Sequence, residues 1–149
     1  MLAGARVTCR QSSPVRLTAL FACLLAVPAA AARQELPTLS PAQAIAKATA
    51  ASPKPVRALF QFKVQNAAKS RGGYYLDSEK DFRSTANLGV AIKPSAMPGL
   101  TKKYGNDLRA ALVGKTVKII GQARRVPVGK NAAATQVEVT HAGQILTVS

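Results

Sequence analysis

The chain has 149 residues, 21 of them Lys or Arg against 6 Asp or Glu, for a formal net charge of +15. One histidine, two cysteines and no tryptophan leave little for a catalytic cluster, so no enzyme is expected. The surplus of positive charge points to polyanions: nucleic acid, acidic polysaccharide or an anionic membrane surface.

Residues 1–32 have the three parts of an export signal. Arg6, Arg10 and Arg16 precede any acid, Leu17 to Val27 is apolar, and Pro28 leads into Ala29-Ala30-Ala31-Ala32, a small-residue stretch suited to cleavage. The apolar run is far short of the roughly 18–20 residues that span a bilayer, so no transmembrane anchor is expected. Leu20-Phe21-Ala22-Cys23 resembles a lipobox, and lipidation of Cys23 is the rival reading. Against it, Phe21 is bulky for its place and the apolar run continues beyond Cys23. Cleavage after Ala32 would remove Cys9 and Cys23, leaving no disulfide, thiolate ligand or cysteine nucleophile. It would leave about 117 residues, enough for one self-supporting core, with 18 basic and 6 acidic side chains and a net charge near +12. A periplasmic or extracellular location follows.

Residues 33–55 read as a lead-in. Ser40-Pro41-Ala42-Gln43 has capping-box spacing with proline at the first helical position, predicting a short helix over about 41–50. Pro53 and Pro55 end it. Residues 56–149 then form the folded domain. Val56, Ala58, Phe60, Phe62 and Val64 alternate with mostly polar neighbours, the period of a half-buried strand. Lys69-Ser70-Arg71-Gly72-Gly73 makes a turn, and Tyr74-Tyr75-Leu76 starts a second strand. After a polar loop from Asp77 to Asn87, Leu88, Val90 and Ile92 mark a third. Helical character returns over 99–113, with Asn106 as cap and Gly114 as stop. A fourth strand runs from Lys115 to Val126, bent at Gly121. A fifth covers Gln136 to Val148, interrupted at Ala142-Gly143. The expected fold is all-β with short helices: a five-stranded OB-fold barrel with a helix between strands three and four, preceded by the signal peptide. An open β-sandwich fragment is the alternative.

Several stretches carry a resemblance. Tyr74-Tyr75-Leu76-Asp77-Ser78-Glu79-Lys80-Asp81-Phe82, Asn87 to Ile92, Leu112 to Gly121 and Val137 to Ile145 resemble segments of small bacterial OB-fold proteins, many of them exported. The likeness covers about residues 40–148 and implies the barrel. Because related OB modules bind single-stranded DNA or tRNA, it also implies a nucleic-acid ligand by analogy of fold. Val128-Gly129-Lys130-Asn131-Ala132-Ala133-Ala134 departs from that pattern, which usually reads Arg-Gly-Lys-Pro before the last strand.

No nucleophile elbow, phosphate-cradling Gly-Lys loop or His-Glu-x-x-His motif occurs. His141 shares the parity of Val137 and Val139, which turns it inward as a core or turn residue. Asp77, Glu79 and Asp81 could face one side of an extended segment, but calcium needs roughly six to eight oxygens. Asp77 is better read as a turn former, with Glu79 and Asp81 paired to Lys80, Arg83 or a basic neighbour. No metal or cofactor is expected.

Binding has better material. With Phe60, Phe62 and Val64 inside, Lys63 faces out. With Tyr74 and Leu76 inside, Tyr75 faces out, and Lys93 joins it opposite Leu88, Val90 and Ile92. Lys63, Tyr75 and Lys93 would share one outer wall, bordered by Lys69 and Arg71 and extended by Arg124 and Arg125. A stacking ring among cations is how OB-type surfaces hold a single strand. A bulge would exchange Tyr74 and Tyr75. The expected function is a non-catalytic exported module engaging a polyanion, with single-stranded nucleic acid first. The alternative is a periplasmic or cell-surface structural protein that contacts an envelope protein or glycan.

Overall fold

A computed structural model describes residues 35–149. The expected signal peptide, with Cys23, lies outside the described residues.

Strand β1 (Thr38–Leu39) leads into helix α1 (Pro41–Ala51). The helix starts where expected. Gln43 N donates to Ser40 Oγ and Ser40 N donates to Gln43 Oε1, a reciprocal cap that satisfies two free amides. Its buried face is only Ala44 and Ala48, small enough to let the helix lie close against the strands β2 (Val56–Lys63) and β6 (Thr116–Val128).

Between those two come β3 (Asn66–Ser70), β4 (Gly73–Asp77) and β5 (Leu88–Ile92), followed by helices α2 (Met97–Tyr104) and α3 (Leu108–Leu112). The expected single helix is two, because Gly105 at φ 90° stops α2 and Asp107, not Asn106, caps α3 through its carboxylate. Strand β7 (Ala132–Val139) pairs with β6, and after a single 3-10 turn β8 (Ile145–Val148) returns to β6.

All eight strands of the described residues belong to one mixed sheet, in the order β1-β2-β6-β7-β5-β4-β3 with β8 beside β6. The sheet is open, which corrects the expected closed five-stranded barrel. The expected first strand ends as β2 at Lys63, and residues 66–70, on the approach to the expected turn, form a further strand, β3, after a bend at Val64-Gln65. There Val64 N donates to Lys115 O and Gln65 N to Asp77 O, so the chain leaves β6 and takes β4 as its new partner. The expected fifth strand is likewise two, since Ala142–Gln144 forms the 3-10 turn. β5 and β7 are parallel while the remaining neighbours of β4, β5, β6 and β7 are antiparallel.

Alternation decides the inside. Phe60, Leu76, Leu88, Ile92, Ile119 and Ile145 are fully buried in one core with Leu100, Leu108 and Leu112 from the helices. Each such side chain contributes about 1.5–3 kcal/mol by leaving water. The outer face is left to other residues, and it holds the site.

Candidate functional site

The outer face of β4, β5, β7 and β6 is set by register. Tyr75 on β4 lies beside Ala91 on β5, which lies beside Glu138 on β7. One step along, Asp77, Gly89, Gln136 and Arg124 form a second row across the same strands. Paired residues of neighbouring strands project from the same side of a sheet, so both rows face outward.

Tyr75 is half-buried with its ring outside, whereas Tyr74 is 9% exposed and inside. Burial also pushes the Tyr74 phenol up from its ordinary value, with Asp107 adding to the shift. The Tyr75 hydroxyl reaches back toward the β3–β4 turn, where a Cβ on Gly72 would lie 3.8 Å from it. Around the ring the floor is built from Ala68 and Gly89. Small residues on either side of a large one leave a hollow, here a cleft of about 740 Å³.

Two walls rise from that floor. One is the tip of the β6–β7 hairpin, with Val126, Val128 and Ala132 to Ala134. The other is the loop between β4 and β5, bringing Phe82 and Arg83. Phe82 is 56% exposed, and the Arg83 guanidinium stands 5.2 Å from its ring centre, a cation over an aromatic face.

A buried network ties this second wall down. Asn87 Nδ2 donates to Asp77 Oδ1 at 2.9 Å and to Phe82 O at 3.2 Å, while Asn66 Nδ2 donates to Asp77 Oδ2 at 3.3 Å. Ser78 Oγ and Glu79 N both donate to Asn87 Oδ1, and Leu88 N donates to Ser78 Oγ. Burial raises the Asp77 carboxyl above its ordinary value, and the bonds from Asn87 and Asn66 partly oppose the shift. Asp77 therefore does more than shape a turn. Asp81 accepts from the backbone of Arg83, not from its guanidinium.

The proposed cations are not gathered as a single wall. Lys63 is exposed at the end of β2, before the Val64-Gln65 bend, and does not line the cleft around Tyr75. Lys69 and Arg71 are exposed at the β3–β4 hairpin beside Ser70, which lines the cleft. Lys93 and Arg124 do stand on the outer face, but both meet Glu138, at 3.6 and 2.9 Å. Arg125 has the inward parity of Ala123 and donates to Thr135 Oγ1 at 2.9 Å. Its place is inside the outer rows because the strand alternates and Arg124 already faces out.

His141 is exposed, not turned inward, since the chain leaves β7 at Val139 and the alternation no longer applies. Gln144 takes the structural role there. Its Oε1 accepts from Thr140 N and His141 N, and its Nε2 donates to Ile120 O and Glu138 O. Phe82 and Arg83 lie in the stretch that reads from sequence as a polar loop. The signal that could have found them was an aromatic beside an arginine in an otherwise hydrophilic stretch.

Among the described residues no three His, Cys, Asp or Glu side chains come together as metal ligands, and no helix is long and apolar enough to cross a membrane. No family profile matches the chain, and no curated protein matches it as a relative.

Proposed function

We propose that the mature chain is an exported, non-catalytic module of OB type that holds single-stranded nucleic acid in the Tyr75 cleft. The observation that carries the reading is an outward tyrosine over a floor of Ala68 and Gly89, facing a wall that presents Phe82 under Arg83. Flat rings above small residues suit bases of any identity, because every base has a π-face. The sheet order supports the same reading. β2 and β3, joined through Val64-Gln65, serve as one bent first strand, β5 and β7 run parallel, and the helices α2 and α3 fall between β5 and β6.

Charge is supplied at the rim. Lys69 and Arg71 flank Ser70, Lys80 and Arg83 lie in the β4–β5 loop, and Lys130 sits at the tip of the β6–β7 hairpin. Phosphates passing the cleft would meet cations from three loops, while the acid at its floor, Asp77, is buried and hydrogen-bonded.

The test is a titration of labelled oligonucleotide at several salt concentrations. Each phosphate contacted adds a slope of about −0.7 to the plot of log K against log salt. Binding that weakens steeply with salt and falls on Tyr75→Ala supports the reading; no binding at low salt rejects it. A glycan is the second reading, favoured by the neutral hydrogen-bonding set Asn66, Ser84, Thr85 and Gln136 in the same cleft. Neutral envelope oligosaccharide competing away the oligonucleotide would select it. Export is tested by the N-terminus of protein recovered outside the cytoplasm, expected near Arg33.

A further inference from the structure

We propose that a single strand bound at Tyr75 continues across the sheet into a second cleft, where Arg57 and Arg124 take its phosphates in place of Glu138. The inference rests on the nucleic-acid reading of the first cleft and deepens it by assigning a phosphate path.

The second cleft, about 460 Å³, opens on β2, β6 and β7 and is lined by Arg57, Arg124, Glu138, Thr140 and His141 among others. It adjoins the first along β7. Gln136 lines the Tyr75 cleft and Glu138, two residues on along the same outer face, lines the second. Arg124 pairs in register with Gln136 and reaches Glu138. Four strand-to-strand steps of about 4.8 Å separate β4 from β2, a path of roughly 19 Å. The smallest OB-type sites hold about four nucleotides.

The charges along that path form an arrangement suited to exchange. Glu138 holds two cations at once, Lys93 through Oε1 and Arg124 through Oε2, and is itself about one third exposed. Solvent-exposed ion pairs contribute little, so the carboxylate is a weak competitor for a phosphodiester that arrives already tethered by stacking at Tyr75. Arg57 stands on the neighbouring strand, opposite Gln122, and is exposed. Among the described residues its guanidinium has no ion-pair partner to give up. An anion entering the second cleft meets Arg57 and Arg124 together, and Glu138 sets how strongly it is held.

The experiment compares a trinucleotide, long enough for the first cleft only, with an octanucleotide on the full chain after signal removal. The octanucleotide is expected to bind about tenfold tighter or more, with a salt slope steeper by about 0.7 for each added phosphate contact. Arg57→Ala combined with Arg124→Ala should abolish that gain and leave trinucleotide affinity unchanged, which also shows that the variant is folded. Glu138→Gln should strengthen octanucleotide binding by about threefold or more and leave the trinucleotide alone. If the arginine variants keep the length-dependent gain, or Glu138→Gln weakens binding, the second cleft is not on the path although the first stands. If wild-type protein binds neither length at low salt, both readings fall together.

Discussion

Asn87 Nδ2 donates to Asp77 Oδ1 at 2.9 Å across the foot of the β4–β5 loop, and both side chains are buried. This one bond joins the end of one strand to the start of the next. It stands the wall that carries Phe82 and Arg83 beside Tyr75. A buried carboxylate held by amides instead of a cation stays costly to ionise, and its pKa is raised accordingly.

A pH dependence follows. With the folded-state pKa above the ordinary value of 3.8, the folded protein binds this proton more tightly than the unfolded chain. Below 3.8 both states are protonated and the group's contribution to stability is fully present. As pH rises from there through the raised midpoint, stability is lost, and above it the loss is complete. Asp77→Asn removes the titration. Urea midpoints of wild type and variant, measured from pH 3 to 8, should show the variant gaining on wild type across that window and a constant difference beyond it.

Stacking and folding should separate at Tyr75. Tyr75→Ala should cost oligonucleotide binding about 1–3 kcal/mol, the worth of one base on an aromatic ring, while Tyr75→Phe keeps most of it. Because the ring is on the outer face, thermal stability should move much less than binding does. Phe82→Ala should behave the same way. Anisotropy titration beside a melting curve reads both quantities on one preparation.

Two glycines make opposite predictions. A Cβ on Gly89 meets Asp77 Oδ1 at 3.7 Å and Thr135 O at 3.8 Å, ordinary contacts, so Gly89→Ala should change stability by about 0.5 kcal/mol or less. Gly89→Leu fills the cleft floor and should reduce binding about tenfold, in the range of one lost stacking contact. At Gly73, φ is 131° and a Cβ would collide with the backbone oxygen of Ile92. Gly73→Ala should lose about 3 kcal/mol or more, because strain and backbone collision add. Chemical denaturation of the variants distinguishes the cases.

Gln144 offers a test of the turn that joins β7 to β8. Its amide accepts at Thr140 N, 2.7 Å, and donates to Ile120 O and Glu138 O at 3.2 and 3.1 Å. Gln144→Ala should cost about 1–3 kcal/mol by leaving these groups unpaired. The nearly isosteric Gln144→Glu should be no better at pH 7, since it sets a carboxylate oxygen against two carbonyls. Rescue by glutamate would show that shape alone matters there.

What the chain determined by itself was local. Ser40 and Gln43 specified their cap three residues apart, and Phe60, Phe62 and Val64 specified an inner face. The same alternation put Tyr75 outside and Tyr74 inside, because parity in a strand is covalent geometry. Tertiary structure decided which outward residues meet. Lys63 and Tyr75 share a direction relative to their own strands, but the Val64-Gln65 bend comes between Lys63 and the β3 residues that pair with β4, and Lys63 does not line the cleft. Lys93 and Arg124, distant in sequence, meet on Glu138 because β5 and β6 both flank β7. Partner exchange at Val64-Gln65 and the rise of Phe82 beside Tyr75 likewise depend on hydrogen bonds to Lys115, Asp77 and Asn87 from other elements. Periodicity tells which side of a strand a residue faces; only strand pairing tells what lies next to it.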